Sequence, residues 1–188
     1  MQNLKTLRSE KRHAGKVFNL IVDEIEYTSG KRGIREVAEH PGGSVVVPML
    51  DNHTVVLIRQ FRYPIKDFLY ELPAGKLDPG EDPALCAARE LEEETGYMAE
   101  SLTKLTAIYT TPGFCTERLH IYLATSLRQA PLGQRLEEGE NLTVETFALK
   151  EAVAMIERGI IVDGKSICGL LLAERMLNRI AAHREDRF

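Results

Sequence analysis

The first forty residues read as β structure, with apolar and polar positions alternating most clearly from Val17 to Tyr27. Val17 to Tyr27 carries Phe18, Leu20, Val22 and Ile25 in a strand pattern, and Ser29-Gly30-Lys31 reads as a turn. Ile34 to Val37 is a short strand. Gly43 to Leu50 is rich in valine, and Thr54 to Phe61 contains Val-Val-Leu-Ile. Asp51-Asn52-His53 reads as a hairpin turn joining these two strands.

The period changes at Asp82. An N-cap residue followed by Pro83 starts a helix, helix formers run from Ala84 to Thr95, and Gly96 is a natural stop. Strands are expected near 103–110, 118–125 and 143–148. Two helices close the chain. One runs near Leu149 to Arg158. The other runs near Ser166 to Ala182, with an apolar face through Leu170, Leu171, Ala173, Met176 and Leu177. Strands on both sides of a central helix, with more helix at the end, predict an α/β or α+β sandwich.

Composition adds limits. At 188 residues and 44% hydrophobic content, the chain can bury a core without staples. A formal net charge of -4 argues against a nucleic-acid partner. Cys86, Cys115 and Cys168 form no CxxC pair and suggest neither a disulfide framework nor a zinc site. They read as small packing residues. The charged stretch Met1 to Arg12 has no signal-peptide core, and no apolar run is long enough to span a bilayer. No membrane association is expected, and the cytoplasm is the expected compartment.

The richest chemistry lies in the central helix. Glu90, Glu93 and Glu94 fall at i, i+3 and i+4 and share one face. Crowded carboxylates repel unless a cation neutralises them, and hard Mg²⁺ or Mn²⁺ takes oxygen ligands while sharing substrate phosphates. Arg89 stands four residues before Glu93 and can orient it. Gly75, five residues, Glu81, seven residues, Arg89-Glu90-Leu91, one residue, Glu93-Glu94, one residue and Gly96 together resemble the Nudix box. Tyr97 departs from the aliphatic residue usual there.

The resemblance implies a Nudix αβα sandwich with a mixed β-sheet and an N-terminal antiparallel β extension. It implies Glu90 and Glu94 as metal ligands. Glu93 would be a ligand or orienting group, and so a catalytic residue. The backbone carbonyl of Ala74 would be a further ligand, with Glu81 and Arg89 as supports. Mg²⁺ is the implied cofactor, with Mn²⁺ as the alternative.

The box implies a reaction, cleavage of a diphosphate linked to another group, and not a substrate. Pro112 lies sixteen residues past Gly96, within Thr111-Pro112-Gly113-Phe114-Cys115-Thr116-Glu117. That placement is similar to the ADP-ribose pyrophosphatase and nucleoside diphosphate sugar hydrolase subgroup. Arg35-Glu36-Val37, Ser44 to Pro48, Leu57 to Tyr63 and Glu71-Leu72-Pro73-Ala74-Gly75 also resemble it. The implied substrate is ADP-ribose, cut to AMP and ribose 5-phosphate. In that subgroup an N-terminal β segment, here residues 1–40, makes a homodimer beside the hydrolase domain, here 41–188.

Arg62 and Arg35 are candidate phosphate ligands, since the guanidinium suits bidentate recognition. Phe18 is a candidate base-stacking residue, and Pro112 and Glu117 complete the substrate-binding set. The box carboxylates are occupied by metal, so the general base is expected outside it. The loop Leu136 to Leu142 carries Glu138 and Glu140 at the subgroup's position for that base. Glu138 is the first choice, then Glu140, with Glu117 in reserve. Three other readings stand beside this one. A hydrolase of GDP-mannose or another nucleotide sugar would share Asp163-Gly164-Lys165-Ser166 and Arg59 to Arg62. A non-catalytic ADP-ribose-sensing module, or an acidic-helix interaction protein, would not need every box carboxylate.

Overall fold

Between Lys5 and Glu39 the chain is almost wholly extended, in three strands: β1 (Lys5–Ala14), β2 (Asn19–Glu26) and β3 (Arg32–Glu39). A computed structural model describes residues 4–136, 138 and 141–185, with side chains through residue 182. The three strands form one antiparallel sheet in the order β1-β2-β3. Between β2 and β3, Tyr27 N donates to Lys31 O at 2.9 Å and Gly30 takes a φ of 77°. That φ suits glycine, which carries no Cβ. β1 is exposed nearly throughout, so backbone pairing and not burial holds it. Residues 109–118 belong to the same compact unit as the chain up to residue 42. There Ala38 bridges Cys115, with Ala38 N donating to Phe114 O at 2.8 Å.

Residues 43–108 and the chain from 119 onward make the second unit. One of its sheets runs β7-β4-β9-β8, from β4 (Gly43–Pro48), β7 (Ala74–Lys76), β8 (Tyr97–Tyr109) and β9 (Arg118–Gln129). It is mixed, because β4 pairs antiparallel with β7 and parallel with β9. The other sheet runs β10-β5-β6, from β5 (Thr54–Arg62), β6 (Asp67–Glu71) and β10 (Leu142–Ala148). Three helices cover these sheets: α1 (Pro83–Thr95), α2 (Leu149–Glu157) and α3 (Gly164–Glu185).

Strand β4 explains the layering. All six of its residues are buried, so it has no solvent face. Val45 and Val47 pack in the core that includes Ala152 and Met155 of α2 and Leu170 and Ala173 of α3. Val46 points the other way, to Ala87 and Leu91 of α1. Each such aliphatic side chain contributes about 1.5–3 kcal/mol on burial. The result is the expected α/β sandwich, helices on both faces of a mixed sheet, with an antiparallel N-terminal sheet.

Helix α1 begins and ends as its sequence predicts. Asp82 Oδ1 accepts from Ala84 N at 2.7 Å, Pro83 opens the first turn, and Gly96 closes the helix at φ 71°. The Asp51 turn also forms, its Oδ1 accepting from His53 N and Thr54 N at 2.7 Å each. It does not make a hairpin, however. Both edges of β4 are taken, by β7 and β9, so β5 pairs instead with β10 and β6. Across the turn, Leu50 N donates to Thr54 O at 3.0 Å and Met49 forms an isolated bridge with Val55. Among the described residues, no helix is long and apolar enough to cross a membrane. Cys86, Cys115 and Cys168 are all free thiols.

Candidate active site

The three carboxylates share one face of α1 but differ in burial. Glu90 and Glu94 are buried, at 9% and 2% exposure, while Glu93 is half-buried. The buried pair faces the short strand β7. Ala74 N donates to Glu94 Oε2 at 2.8 Å. At Gly75 a Cβ would stand 1.8 Å from Glu90 Oε1, so the Glu90 carboxylate fills the space a side chain would take. Glycine here is a matter of room, since Gly75 is not among the residues with positive φ.

Arg89 gathers the remaining charges. Its Nε and Nη2 donate to Glu81 at 3.1 Å each, and Nη1 donates to Glu90 at 2.6 Å and Glu93 at 3.1 Å. Hydrogen bonding to Glu81 holds the guanidinium well above its ordinary pKa, and the same bond holds Glu81 below the usual carboxylate range. One positive charge meets three carboxylates, so the group as a whole is negative. Beneath it, burial pushes the Cys86 thiol up to about 11. Cys86 therefore stays protonated and donates to the carbonyls of Lys76, at 3.4 Å, and Gly75, at 3.7 Å. A thiol so held is a packing group and not a nucleophile.

This donor set suits a hard divalent cation. It offers two buried carboxylates in a net negative cluster, with Gly75 keeping a side chain out of the place where Glu90 ends. Among the described residues, no three His, Cys, Asp or Glu side chains converge as a ready-made cage. Mg²⁺ does not need one, since it is commonly held by one or two carboxylates plus waters and substrate phosphates.

The loop carrying the candidate base is rooted on the same helix. Gln134 Nε2 donates to Glu94 O at 2.6 Å, Arg135 N donates to Glu93 O at 2.9 Å, and Arg135 Nη2 pairs with Glu92 at 3.0 Å. The first two bonds satisfy carbonyls that a helix end leaves without partners. At the other root, Phe61 N of β5 donates to Asn141 O at 3.1 Å. Glu138 lies between the roots in an exposed turn. Glu140 falls outside the described residues.

Arg62, at the end of β5, is not a bare cation. Its Nε and Nη2 both donate to Glu71 at 2.7 Å, the bidentate geometry of a guanidinium on a carboxylate. Glu71 also receives Lys165 Nζ, which bonds Asp163 at 2.9 Å as well. Burial raises the pKa of Glu71, but Arg62 and Lys165 outweigh it and leave the carboxyl below its ordinary value. Ser166 Oγ accepts from Leu72 N at 2.7 Å and donates to Asp163 Oδ2 at 2.5 Å. Sequence reasoning did not assign Glu71 or Lys165 to the site. Both lie in segments quoted for their resemblance, Glu71 to Gly75 and Asp163 to Ser166, but neither segment singles out its charged residue.

The other candidates belong to the N-terminal unit. Arg35, on β3, donates to Tyr27 Oη at 2.8 Å and to Ile34 O at 2.9 Å. Phe18 is exposed just before β2, and its carbonyl accepts from Gly15 N at 3.2 Å. Pro112 is exposed in the turn that Cys115 N closes on Thr111 O at 2.9 Å. Glu117 accepts from Thr110 Oγ1 at 2.7 Å and lies 3.6 Å from His40 Nδ1. That nitrogen already accepts from Gly42 N at 3.0 Å.

The chain is 41% identical to an ADP-ribose pyrophosphatase of Bacillus subtilis, over 86% of its length and 88% of the relative's. It is 37% identical to an ADP-ribose pyrophosphatase of Mycobacterium tuberculosis, over 97% and 88% of the two chains. A GDP-mannose pyrophosphatase of Yersinia enterocolitica is 37% identical, over 84% of each. A solved structure described as an ADP compounds hydrolase superposes with a TM-score of 0.83 over 95% of this chain and 96% of that one. At 24% identity, it bears on the fold alone. Residues 40–168 match the NUDIX domain model, and on that match and these identities the chain belongs to the Nudix family of hydrolases.

Proposed function

We propose that this protein hydrolyses the pyrophosphate bond of ADP-ribose, giving AMP and ribose 5-phosphate. One observation carries the reading. Glu90 and Glu94 are buried side by side on α1 against Ala74 and Gly75, with Gly75 leaving the space that Glu90 fills. The names of the two ADP-ribose pyrophosphatases select the substrate.

Glu90 and Glu94, with the Ala74 carbonyl, would hold Mg²⁺, and Glu93 would orient the set through Arg89. Such an ion supplies positive charge against the pyrophosphate and makes a water easier to deprotonate. Arg62 donates to a phosphate oxygen. Glu138 takes the proton of the attacking water, because its loop is rooted on Glu93 and Glu94 and ends beside β5. The water attacks the adenosyl phosphorus, the P–O bond to the bridging oxygen breaks, and ribose 5-phosphate leaves. Arg35, Phe18, Pro112 and Glu117 serve the nucleoside and sugar. Glu140 is the neighbouring choice for the base.

The working form is a homodimer built through residues 1–40. Leu4, Leu7, Val17, Phe18 and Ile34 are all exposed on that segment, more apolar surface than a free antiparallel sheet needs. Three free thiols suit a reducing cytoplasm.

The test is incubation with Mg²⁺ and a panel of ADP-ribose, GDP-mannose and other nucleotide sugars, with product analysis and water labelled with ¹⁸O. ADP-ribose turned over fastest, with label in AMP, is the expected result. Faster turnover of GDP-mannose moves the substrate to that of the second group of relatives. No turnover of any member refutes the reading.

A further inference from the structure

We propose that Lys165 is a positioning residue for substrate binding: by sharing Glu71 with Arg62, it frees part of the Arg62 guanidinium for an oxygen of the substrate's pyrophosphate. This rests on the reading of Arg62 as a phosphate ligand.

The Glu71 side chain is 1% exposed and takes three hydrogen bonds, two from Arg62 and one from Lys165. A single bidentate guanidinium would already neutralise it, so the second cation needs a reason. Lys165 is not a loose surface lysine. Its side chain is 12% exposed and is held to Asp163 at 2.9 Å. Asp163 is fixed in turn by Ser166 N at 3.0 Å and by Ser166 Oγ, at the first turn of α3. Arg62 is placed the other way. Its side chain is 39% exposed, and its Nη1 donates to no described residue. The charge of Glu94 acts on it as well, so it stands within electrostatic reach of the box helix. One member of the cluster is therefore buried and fixed, and the other reaches outward.

When a pyrophosphate arrives at Arg62, its oxygens compete with Glu71 for the same guanidinium. A buried carboxylate that loses a cationic partner and keeps no other is strongly destabilised. Lys165 removes that obstacle, because Glu71 stays paired whatever Arg62 does. Charge balance agrees. Arg62, Lys165, Glu71 and Asp163 sum to zero. Without Lys165 they sum to one negative charge, which repels an anionic substrate and ties Arg62 to Glu71. The segment Asp163-Gly164-Lys165-Ser166 thus has a task in binding.

The test is Lys165→Met. Affinity for ADP-ribose is measured by calorimetry in EDTA, and kcat and KM are measured in saturating Mg²⁺. Kd and KM should each rise about tenfold, the scale of one charge-assisted hydrogen bond, with kcat nearly unchanged. Lys165→Arg should restore most of the affinity. Glu71→Gln combined with Lys165→Met should bind more tightly than Lys165→Met alone, since a neutral amide in place of the carboxylate no longer captures Arg62. A fall in kcat at constant Kd and KM, or a double variant that binds no better than the single one, overturns the proposal. Arg62→Met separates the levels. If it leaves Kd and KM unchanged, Arg62 is no phosphate ligand and the proposal falls with that assignment. If the wild-type protein neither binds nor cuts ADP-ribose, the substrate reading itself has failed.

Discussion

Replacing Gly75 by alanine adds one methyl group at the most crowded point of the box. That Cβ would lie 1.8 Å from Glu90 Oε1, 2.0 Å from its Cδ and 2.5 Å from Oε2. Ordinary contact begins at 3.4 Å, so Oε1 must retreat by about 1.6 Å. The carboxylate is buried and bonded to Arg89 Nη1 at 2.6 Å, so it cannot swing into solvent without breaking that bond. Over-packing of this kind costs about 1–3 kcal/mol, which in a chain of this length lowers Tm by about 2–12 °C. The effect on catalysis should be larger. Displacing a positioned group by about 1 Å can cost about 10²-fold in rate, so kcat/KM for ADP-ribose should fall by about that factor. Thermal melting by circular dichroism, beside initial rates of AMP release, separates the two effects. A Gly75→Ala protein that melts within that range and keeps wild-type kcat/KM would refute the placement of Glu90 in the working site.

Glu94→Gln should stay folded and lose most turnover, and excess EDTA should silence the wild-type enzyme; turnover that survives EDTA removes the metal from the scheme. Glu138→Gln should lower kcat by about 10²–10⁴-fold with KM nearly unchanged, and Glu140→Gln should do less; reversed effects in steady-state assays transfer the base to Glu140. Glu71 is held below its ordinary value of 4.5. Its stabilising contribution is therefore complete above that pH and is lost as pH falls through the folded-state value. Melting curves taken downward from about pH 5 should show a shallower loss in Glu71→Gln than in wild type, and parallel curves would mean that Glu71 does not titrate with unfolding.

What the sequence displays is what lies close together along it. The α1 carboxylates, the Asp82 cap and the Gly96 stop fall within one helix, where i, i+3 and i+4 spacing places a face directly. Strands β2 and β3 are legible because apolar positions recur in Val17 to Tyr27 and Ile34 to Val37, whereas β1 is exposed and charged almost throughout and carries no such signal. Elsewhere periodicity finds a strand without saying what it pairs with. The Asp51 turn forms as expected, yet β4 and β5 part into different sheets because both edges of β4 are occupied. Strands β6 and β7 escape notice for local reasons: Asp67 to Glu71 begins and ends in charge, and Ala74 to Lys76 is three residues long with a glycine in the middle. The pairing of Glu71 with Lys165 joins residues 94 positions apart, and nothing near either one announces the other.

The roots of the loop after β9 bear on how the enzyme can be re-engineered. Gln134 and Arg135 bond the last carbonyls of α1, so this loop also serves as that helix's terminal clasp. A graft replacing the whole of residues 134–141 would unfasten the end of the helix that bears Glu93 and Glu94, and would be scored as a poor substrate design when its fault was mechanical. A library that keeps Gln134, Arg135 and Asn141 and randomises the residues between would vary the proposed base and its neighbours and leave the helix fastened.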